Sequence, residues 1–366
     1  MKITVLMGGT SAERDVSMAS GLRVAEALRS RGHEVVTLDT ARGTLSTKDE
    51  RQLLAKGNVV KREPPSQDEL ARMAAETLPQ MLRALPSLAE ADVVFLGLHG
   101  GYGEDGTIQA LLDMAGIRYT GSGHLASALA MDKDLSKHLF RRAGVQTADW
   151  MMAKREGSAE EQLGRLTMPV VVKPSKQGST VGLSIVERRE ELSAAIAEAF
   201  RFDDEVMIEQ FVPGRELTVG ILGEDALPVG EIIPKHEIYD YECKYTVGMA
   251  EEVFPAQIST DRAREAQDLA RRAFQALKLR GYARIDFRMT EDGSLFCLEA
   301  NTLPGMTQTS LIPQAAAAAG ISFPELCERI AVLAMGDAPV ATVTPPAPKR
   351  RTPARLSPPP KTEGRR

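Results

Sequence analysis

Apolar positions along the chain switch between short continuous runs, alternation and helical spacing, and the order of these patterns predicts an α/β architecture. Residues 3–7 (Ile-Thr-Val-Leu-Met) form an apolar run that enters the turn Gly8-Gly9-Thr10-Ser11. Helical spacing follows over residues 15–30 and a second strand over 33–38. Strand, glycine turn, helix and strand in that order open a doubly wound, Rossmann-like domain. Residues 42–62 are polar and poorly periodic, which predicts a loose excursion, while 68–85 read as helix and 92–98 as another buried strand. That strand ends in His99-Gly100-Gly101-Tyr102-Gly103-Glu104-Asp105-Gly106, and the carboxyl end of a strand is where open α/β sheets place ligands. A helix over 107–115 and the turn Thr120-Gly121-Ser122-Gly123 complete a first domain, 1–130.

Beyond it the pattern is α+β. A short helix is expected at 137–143, then a β-branched strand from residue 168, a loop of small and polar residues, and a return strand over 183–186. The loop, Lys173-Pro174-Ser175-Lys176-Gln177-Gly178-Ser179-Thr180, can close over phosphates with backbone N–H groups and hydroxyls, Lys173 adding a point charge. It is not a Walker A loop, because Gly-x-x-x-x-Gly-Lys-Ser/Thr is absent. An amphipathic helix follows at 190–200, strands at 205–211 and 217–222, a long helix at 260–279, and two last helices from residues 311 and 323. Residues 234–252 are polar, aperiodic and rich in tyrosine, which reads as an ordered functional loop. The boundaries expected are 131–232 for a central subdomain with the phosphate loop and 233–336 for one with the tyrosine loop.

Within the last subdomain, strand-forming runs flank Glu291-Asp292-Gly293-Ser294, and Asp-Gly between such runs signals a hairpin. The register about that turn sets Asp286 opposite Glu299 and Arg284 opposite Asn301, with Ile285, Phe287, Leu298 and Ala300 on the core face. Two opposed carboxylates repel unless a cation lies between them, and an all-oxygen donor set suits a hard ion such as Mg²⁺. A solvated hairpin with incidental acids is the alternative that this stretch alone leaves open.

Composition narrows the class. At 366 residues, 43% hydrophobic and 26% charged, the chain has the balance of an ordinary globular protein with room for two or three cores. No stretch reaches the ~20 apolar residues of a membrane span, and the apolar start is too short for a signal peptide. Cys243, Cys297 and Cys327 have neither metal nor redox spacing, so reduced thiols in a cytoplasmic protein are expected. A net charge of -5 gives no case for nucleic acid. From residue 337 onward, Lys349, Arg350, Arg351, Arg355, Lys361, Arg365 and Arg366 stand among prolines, a composition that predicts a disordered tail.

The motifs taken together resemble the ATP-grasp fold, and closely resemble the D-alanine–D-alanine ligase family. They are Gly8-Gly9-Thr10-Ser11-Ala12-Glu13-Arg14, Leu98-His99-Gly100, Gly103-Glu104-Asp105-Gly106-Thr107, Met131-Asp132-Lys133, Val172-Lys173-Pro174-Ser175, Tyr239-Asp240-Tyr241-Glu242, Lys244-Tyr245, Arg284-Ile285-Asp286 and Glu299-Ala300-Asn301-Thr302. In order and spacing they span residues 3–333. The resemblance implies that the carboxylate of one D-alanine attacks the γ-phosphate of ATP. The amine of a second D-alanine then attacks the acyl phosphate, yielding a peptidoglycan precursor. Asp286, Glu299 and Asn301 would hold two Mg²⁺ ions, with Mn²⁺ as an alternative. Lys133 and Lys173 would contact phosphates, with Lys244 a further nucleotide contact, and Glu209, Gln210, Val212 and Glu216 would take adenine and ribose. Arg284 and the Gly305 N–H would stabilise the tetrahedral oxyanion. Glu13 would pair with the first ammonium, His99 would sit near that substrate, and Ser310 and Leu311 would hold the second carboxylate. Ser179 and Tyr245 would tie the two loops together over the site. A homodimer is also implied.

Two positions depart from the family pattern. Gln177 stands where an acid is often found, and Gln210 where a lysine is common near adenine. Rival readings are a family member using D-lactate or D-serine as second substrate, another ATP-grasp ligase, a nucleotide-binding module without catalysis, and a dinucleotide oxidoreductase. Lys244-Tyr245 favours the dipeptide, Arg284 has no purpose in a pure binder, and the glycine spacing of the first turn is wrong for a dinucleotide.

Overall fold

The structure, a computed structural model, describes residues 1–55, 67–178, 180–235 and 249–336. Expectations for Ser179, Lys244, Tyr245, Cys243 and the 337–366 tail fall outside the described residues.

The chain opens with β1 (Lys2–Met7), α1 (Arg14–Ser30), β2 (Glu34–Asp39), β3 (Gly43–Thr44), α2 (Thr47–Ala55), α3 (Gln67–Ala89) and β4 (Val93–Leu96). The sheet runs β3-β2-β1-β4, with β1 parallel to both β2 and β4. Ile3, Val5, Leu6 and Met7 are all buried, the continuous apolar run of a parallel strand covered on both faces. Residues 47–55 correct the expected loose excursion, for they form α2. Polar contacts join the packing of Leu53 in holding it: Glu50 receives Arg29 at 2.7 and 2.9 Å, and Ser46 and Asp49 cap its start at 2.6 Å. Hydrophobic periodicity is silent about such a helix.

Next come α4 (Thr107–Met114), α5 (His124–Met131) and α6 (Lys133–Arg142). Helix α6 starts before the expected residue 137, because Asp132 caps it by accepting from the Leu135 N–H at 3.0 Å. A small antiparallel sheet follows, built from β5 (Trp150–Met152), β6 (Val170–Pro174), β7 (Ser184–Val186) and β8 (Val206–Gln210) in the order β5-β8-β6-β7. Helices α7 (Ala159–Leu163) and α8 (Arg189–Ala199) accompany it.

The larger sheet contains β9 (Arg215–Leu222), β10 (Asp225–Ala226), β11 (Gly230–Pro234), β12 (Ala250–Val253), β13 (Tyr282–Met289) and β14 (Leu295–Asn301). Its path is β12-β11-β9-β13-β14, with β10 on β9. Helix α9 (Thr260–Ala276) packs Ala266, Ala270, Ala273 and Phe274 into its core, and α10 (Leu311–Ala318) and α11 (Phe323–Gly336) close the described chain. Cys327, Ile330 and Ala331 of α11 share one core with β1, β4 and α1, so the first and last described elements pack as one body. The strands at 150–152 and 230–234 are too short to show a period.

In the hairpin, Arg284 faces Asn301, Ile285 faces Ala300 and Asp286 faces Glu299. Past Asp286 the register shifts by one, so that Phe287 faces Cys297. Leu298 is therefore the extra residue of a β-bulge. It lines the cleft described below rather than the core, and buried Cys297 takes the expected core place.

The turn joining the two sheets depends on Gly214, whose φ is +128° and whose added Cβ would lie 2.1 Å from the Met289 carbonyl oxygen. Neither backbone can yield without moving the hairpin. Gly214→Ala is expected to destabilise the protein by roughly 2–4 kcal/mol, read as a lowered urea midpoint at unchanged slope. A midpoint equal to wild type would show that the turn relaxes freely.

Candidate active site

A cleft of about 1010 Å³, counting its open mouth, lies between the small and large sheets. Lys133, Lys173, Glu216, Arg284, Asp286 and Glu299 line it, as do Glu209, Gln210 and Val212. The expected nucleotide residues other than Lys244, which lies outside the described residues, and two of the three expected metal ligands thus share one cavity.

On the hairpin side, Arg284 grips Asp286 through Nε and Nη2 at 2.9 and 2.8 Å, and Thr218 on β9 donates to the same carboxylate at 2.7 Å. Opposite, Glu299 receives Lys133 Nζ at 3.3 Å. Lys133 also donates to the Gln177 carbonyl at 2.8 Å, and its own N–H bonds the Ser175 carbonyl. It therefore ties the start of α6 to the phosphate loop. The Asn301 Oδ1 is buried and has no hydrogen-bond partner among the described residues. Among the described residues no three His, Cys, Asp or Glu side chains gather as a metal cluster. Two carboxylates and one orphaned amide oxygen nevertheless form a hard, oxygen-only donor set, and an unpartnered buried acceptor is costly unless a ligand uses it. The residues present fit Mg²⁺.

On the other wall, Glu209 is 3% exposed and both its oxygens are taken: Lys173 donates to Oε2 at 2.6 Å and Lys137 to Oε1. Burial alone would raise the carboxyl pKa, but the two ammoniums outweigh it and hold Glu209 down at about 2. Burial lowers the pKa of Lys137, opposed by Glu209. The Gln210 side chain bonds Thr167 N at 3.0 Å, Thr167 O at 2.9 Å and Pro169 O at 3.2 Å, so its amide braces the strand junction. Gln177 bonds the Phe202 carbonyl at 3.1 Å, and Lys176 N–H bonds Asp203 at 2.6 Å, which moor the phosphate loop to the 202–205 turn. The Arg288 guanidinium donates to the Val212 carbonyl at 3.1 Å and stands 3.6 Å from Glu216.

At the far end lie Glu13, His99, Gly305, Ser310 and Leu311. Glu13 sits just before α1, and its Oε2 is 3.4 Å from where a Cβ on Gly178 would be, which places the carboxylate beside the phosphate loop. Ser310 precedes α10, its Oγ accepting from Thr307 N at 2.9 Å and standing 2.6 Å from where a Cβ on Gly305 would be. A side chain at Gly305 would have to displace the Ser310 hydroxyl. Leu311 is the first residue of α10, where backbone N–H groups have no acceptor within the helix. His99 bonds the Leu303 carbonyl through Nδ1 at 2.9 Å and Ser20 Oγ through Nε2 at 3.0 Å, so both ring nitrogens are committed to the protein. Burial lowers its pKa. Glu104 is raised well above the usual carboxylate range by burial and by the nearby Glu13 charge.

Sequence reasoning missed Lys137, Arg288 and Glu104. Lys137 follows Lys133 by one helical turn on α6, and Arg288 shares the strand alternation of Arg284 and Asp286. Both signals were present in the spacing.

The family profile described as D-ala D-ala ligase N-terminus matches residues 2–122, and that described as D-ala D-ala ligase C-terminus matches 139–332. The chain belongs to the D-alanine–D-alanine ligase family. It is 44% identical to the D-alanine--D-alanine ligase of Geotalea uraniireducens over 329 residues, 90% of this chain and 94% of the relative. With that of Aquifex aeolicus the identity is 42%, over 89% of this chain and 98% of the relative. The crystal structure of D-alanine--D-alanine ligase from Bacillus anthracis superimposes with a TM-score of 0.71 at 33% identity, covering 92% of this chain and 97% of that one. The same enzyme complexed with ATP gives 0.70 at 32% identity, with the same coverage. The mixed α/β architecture is thus that of the family's ATP-grasp fold. No helix among the described residues is long and apolar enough to cross a membrane.

Proposed function

We infer that this protein joins two D-alanines into D-alanyl-D-alanine while converting ATP to ADP and phosphate, supplying a peptidoglycan precursor. The observation that carries the reading is the hairpin site. Asp286 and Glu299 face each other, Arg284 and Lys133 hold them, and the Asn301 oxygen is unpartnered beside them.

A carboxylate oxygen of the first D-alanine attacks the γ-phosphorus, the bond to the bridging oxygen breaks, and ADP departs. Lys133 and Lys173 place point charges on the phosphates, Lys173 aimed by its bond to Glu209. Glu209 to Val212 and Glu216 receive adenine and ribose, with Arg288 fixing the Val212 carbonyl. Asp286, Glu299 and Asn301 would hold two Mg²⁺ ions, or Mn²⁺, which supply neutralising charge to the phosphates. The free amine of the second D-alanine then attacks the acyl carbon, and the oxyanion is met by Arg284 and the Gly305 N–H. Phosphate leaves as the tetrahedral centre collapses, carrying away the proton that the attacking amine gives up. Glu13 receives the first ammonium, with His99 lying behind that subsite, and Ser310 and Leu311 hold the second carboxylate. By the family resemblance Ser179 and Tyr245, which lie outside the described residues, would tie the two loops together over the site and exclude water that would hydrolyse the acyl phosphate, and Lys244, also outside them, would contact the nucleotide. The working form is a cytoplasmic homodimer.

The test is phosphate release from ATP and Mg²⁺ with D-alanine, with L-alanine, and with D-alanine plus D-lactate, the products identified by mass. Phosphate and D-alanyl-D-alanine from D-alanine alone are expected. Phosphate only when D-lactate is added would move the protein to depsipeptide synthesis. No phosphate from protein that still binds ATP would overturn the reading.

A further inference from the structure

Helix α1 carries Glu13 at its start, and its buried face reaches the segment that contains Gly305. Ser20 lies mid-helix and is fully buried. A serine there ordinarily bonds back to its own helix. Its Oγ instead accepts from the Met306 N–H at 3.1 Å and pairs with His99 Nε2 at 3.0 Å. The Leu303 carbonyl has no proton to give, so His99 Nδ1 must donate to it across 2.9 Å. In the neutral ring Nε2 is then an acceptor, and the Ser20 hydroxyl donates to it. Met306 N–H, Ser20, His99 and the Leu303 carbonyl form one continuous chain of hydrogen bonds around the backbone of 303–306. One turn along α1, Arg23 donates to the Met306 carbonyl at 3.1 Å, its guanidinium 3.8 Å above the Phe323 ring. The Met306 residue is thus gripped at both its N–H and its carbonyl by the same helix.

We propose that Ser20 is a positioning residue for the second half-reaction, its hydroxyl fixing the turn that presents the Gly305 N–H to the tetrahedral oxyanion. This rests on the reading that Gly305 meets that charge. One rigid helix then sets the distance between the carboxylate that receives the first ammonium and the donor that receives the oxyanion, as a precise site requires. His99 acts within this brace, through Ser20 and Leu303, rather than through a nitrogen offered to substrate.

The two half-reactions can be read separately. Acyl phosphate formation shows as scrambling of oxygen label between bridging and non-bridging positions of ATP in the presence of D-alanine. Ser20→Ala is expected to lower kcat for the dipeptide about ten- to hundredfold. The label scrambling and the KM for ATP should stay within about threefold, a split that a general loss of structure would not give. Affinity for a phosphinate dipeptide, a mimic of the tetrahedral state, should fall in step with kcat/KM. Arg23→Met, at a half-buried site, should show the same split in smaller measure and serves if Ser20→Ala does not fold. Dipeptide formation within twofold of wild type in folded variants, or a parallel fall of scrambling and ligation, would overturn the proposal. A wild-type protein that makes no dipeptide would instead overturn the functional reading beneath it.

Discussion

Asp286→Asn is expected to lower turnover by about 10³-fold or more, close to 4 kcal/mol of transition-state stabilisation, in protein that remains folded. The change keeps the shape and the Thr218 hydrogen bond at 2.7 Å, and removes only the charge that faces Arg284. Because the Arg284–Asp286 pair is nearly buried, with side chains 12% and 8% exposed, some stability goes too, about 1–3 kcal/mol. Glu299→Gln separates the two effects. Glu299 is 31% exposed and its Lys133 contact is 3.3 Å long, so solvent screens the pair and stability should scarcely move, while turnover falls comparably. Circular dichroism, urea midpoints and phosphate release measure the three quantities. Either variant, folded and within tenfold of wild-type turnover, would show that the opposed carboxylates do not hold catalytic charge.

This site was legible because hairpin chemistry is local. The Asp-Gly signal and strand alternation placed Asp286 against Glu299 and Arg284 against Asn301, as the structure pairs them. The bulge at Leu298 was not legible, since nothing in a two-residue period announces one extra residue, and it turned Leu298 from core to cleft. Helix α2 was missed because its anchors are Arg29 and Glu50, far apart in sequence and polar. The brace from Ser20 to Met306 spans most of the chain and pairs a hydroxyl with a backbone N–H, a contact that leaves no periodic trace. Lys137 and Arg288 stood at readable spacings. They were passed over because a lysine on a helix and an arginine on a strand are ordinary until the opposite wall is known.

That opposite wall supplies the second large effect. Among the described residues Glu209 is the carboxylate that pairs with both Lys137 and Lys173, in a place where Lys137 is fully buried and Glu209 nearly so. Glu209→Gln strands two ammoniums, and the expected loss is about 3–5 kcal/mol of stability, together with a roughly tenfold or greater rise in KM for ATP as Lys173 loses its aim. The pH dependence follows from the carboxyl being held at about 2, below its usual 4.5. The unfolded chain takes up this proton first, so the pair's contribution is complete above pH ~4.5 and disappears as pH falls toward ~2. Wild-type urea midpoints should therefore drop more steeply between pH 5 and pH 3 than those of Glu209→Gln. Adding Lys137→Met to Glu209→Gln should restore part of the lost stability, because one of the two stranded charges is gone. Parallel pH profiles, or no recovery in the double variant, would mean that the Lys137–Glu209–Lys173 cluster is not what holds Lys173 to the cleft.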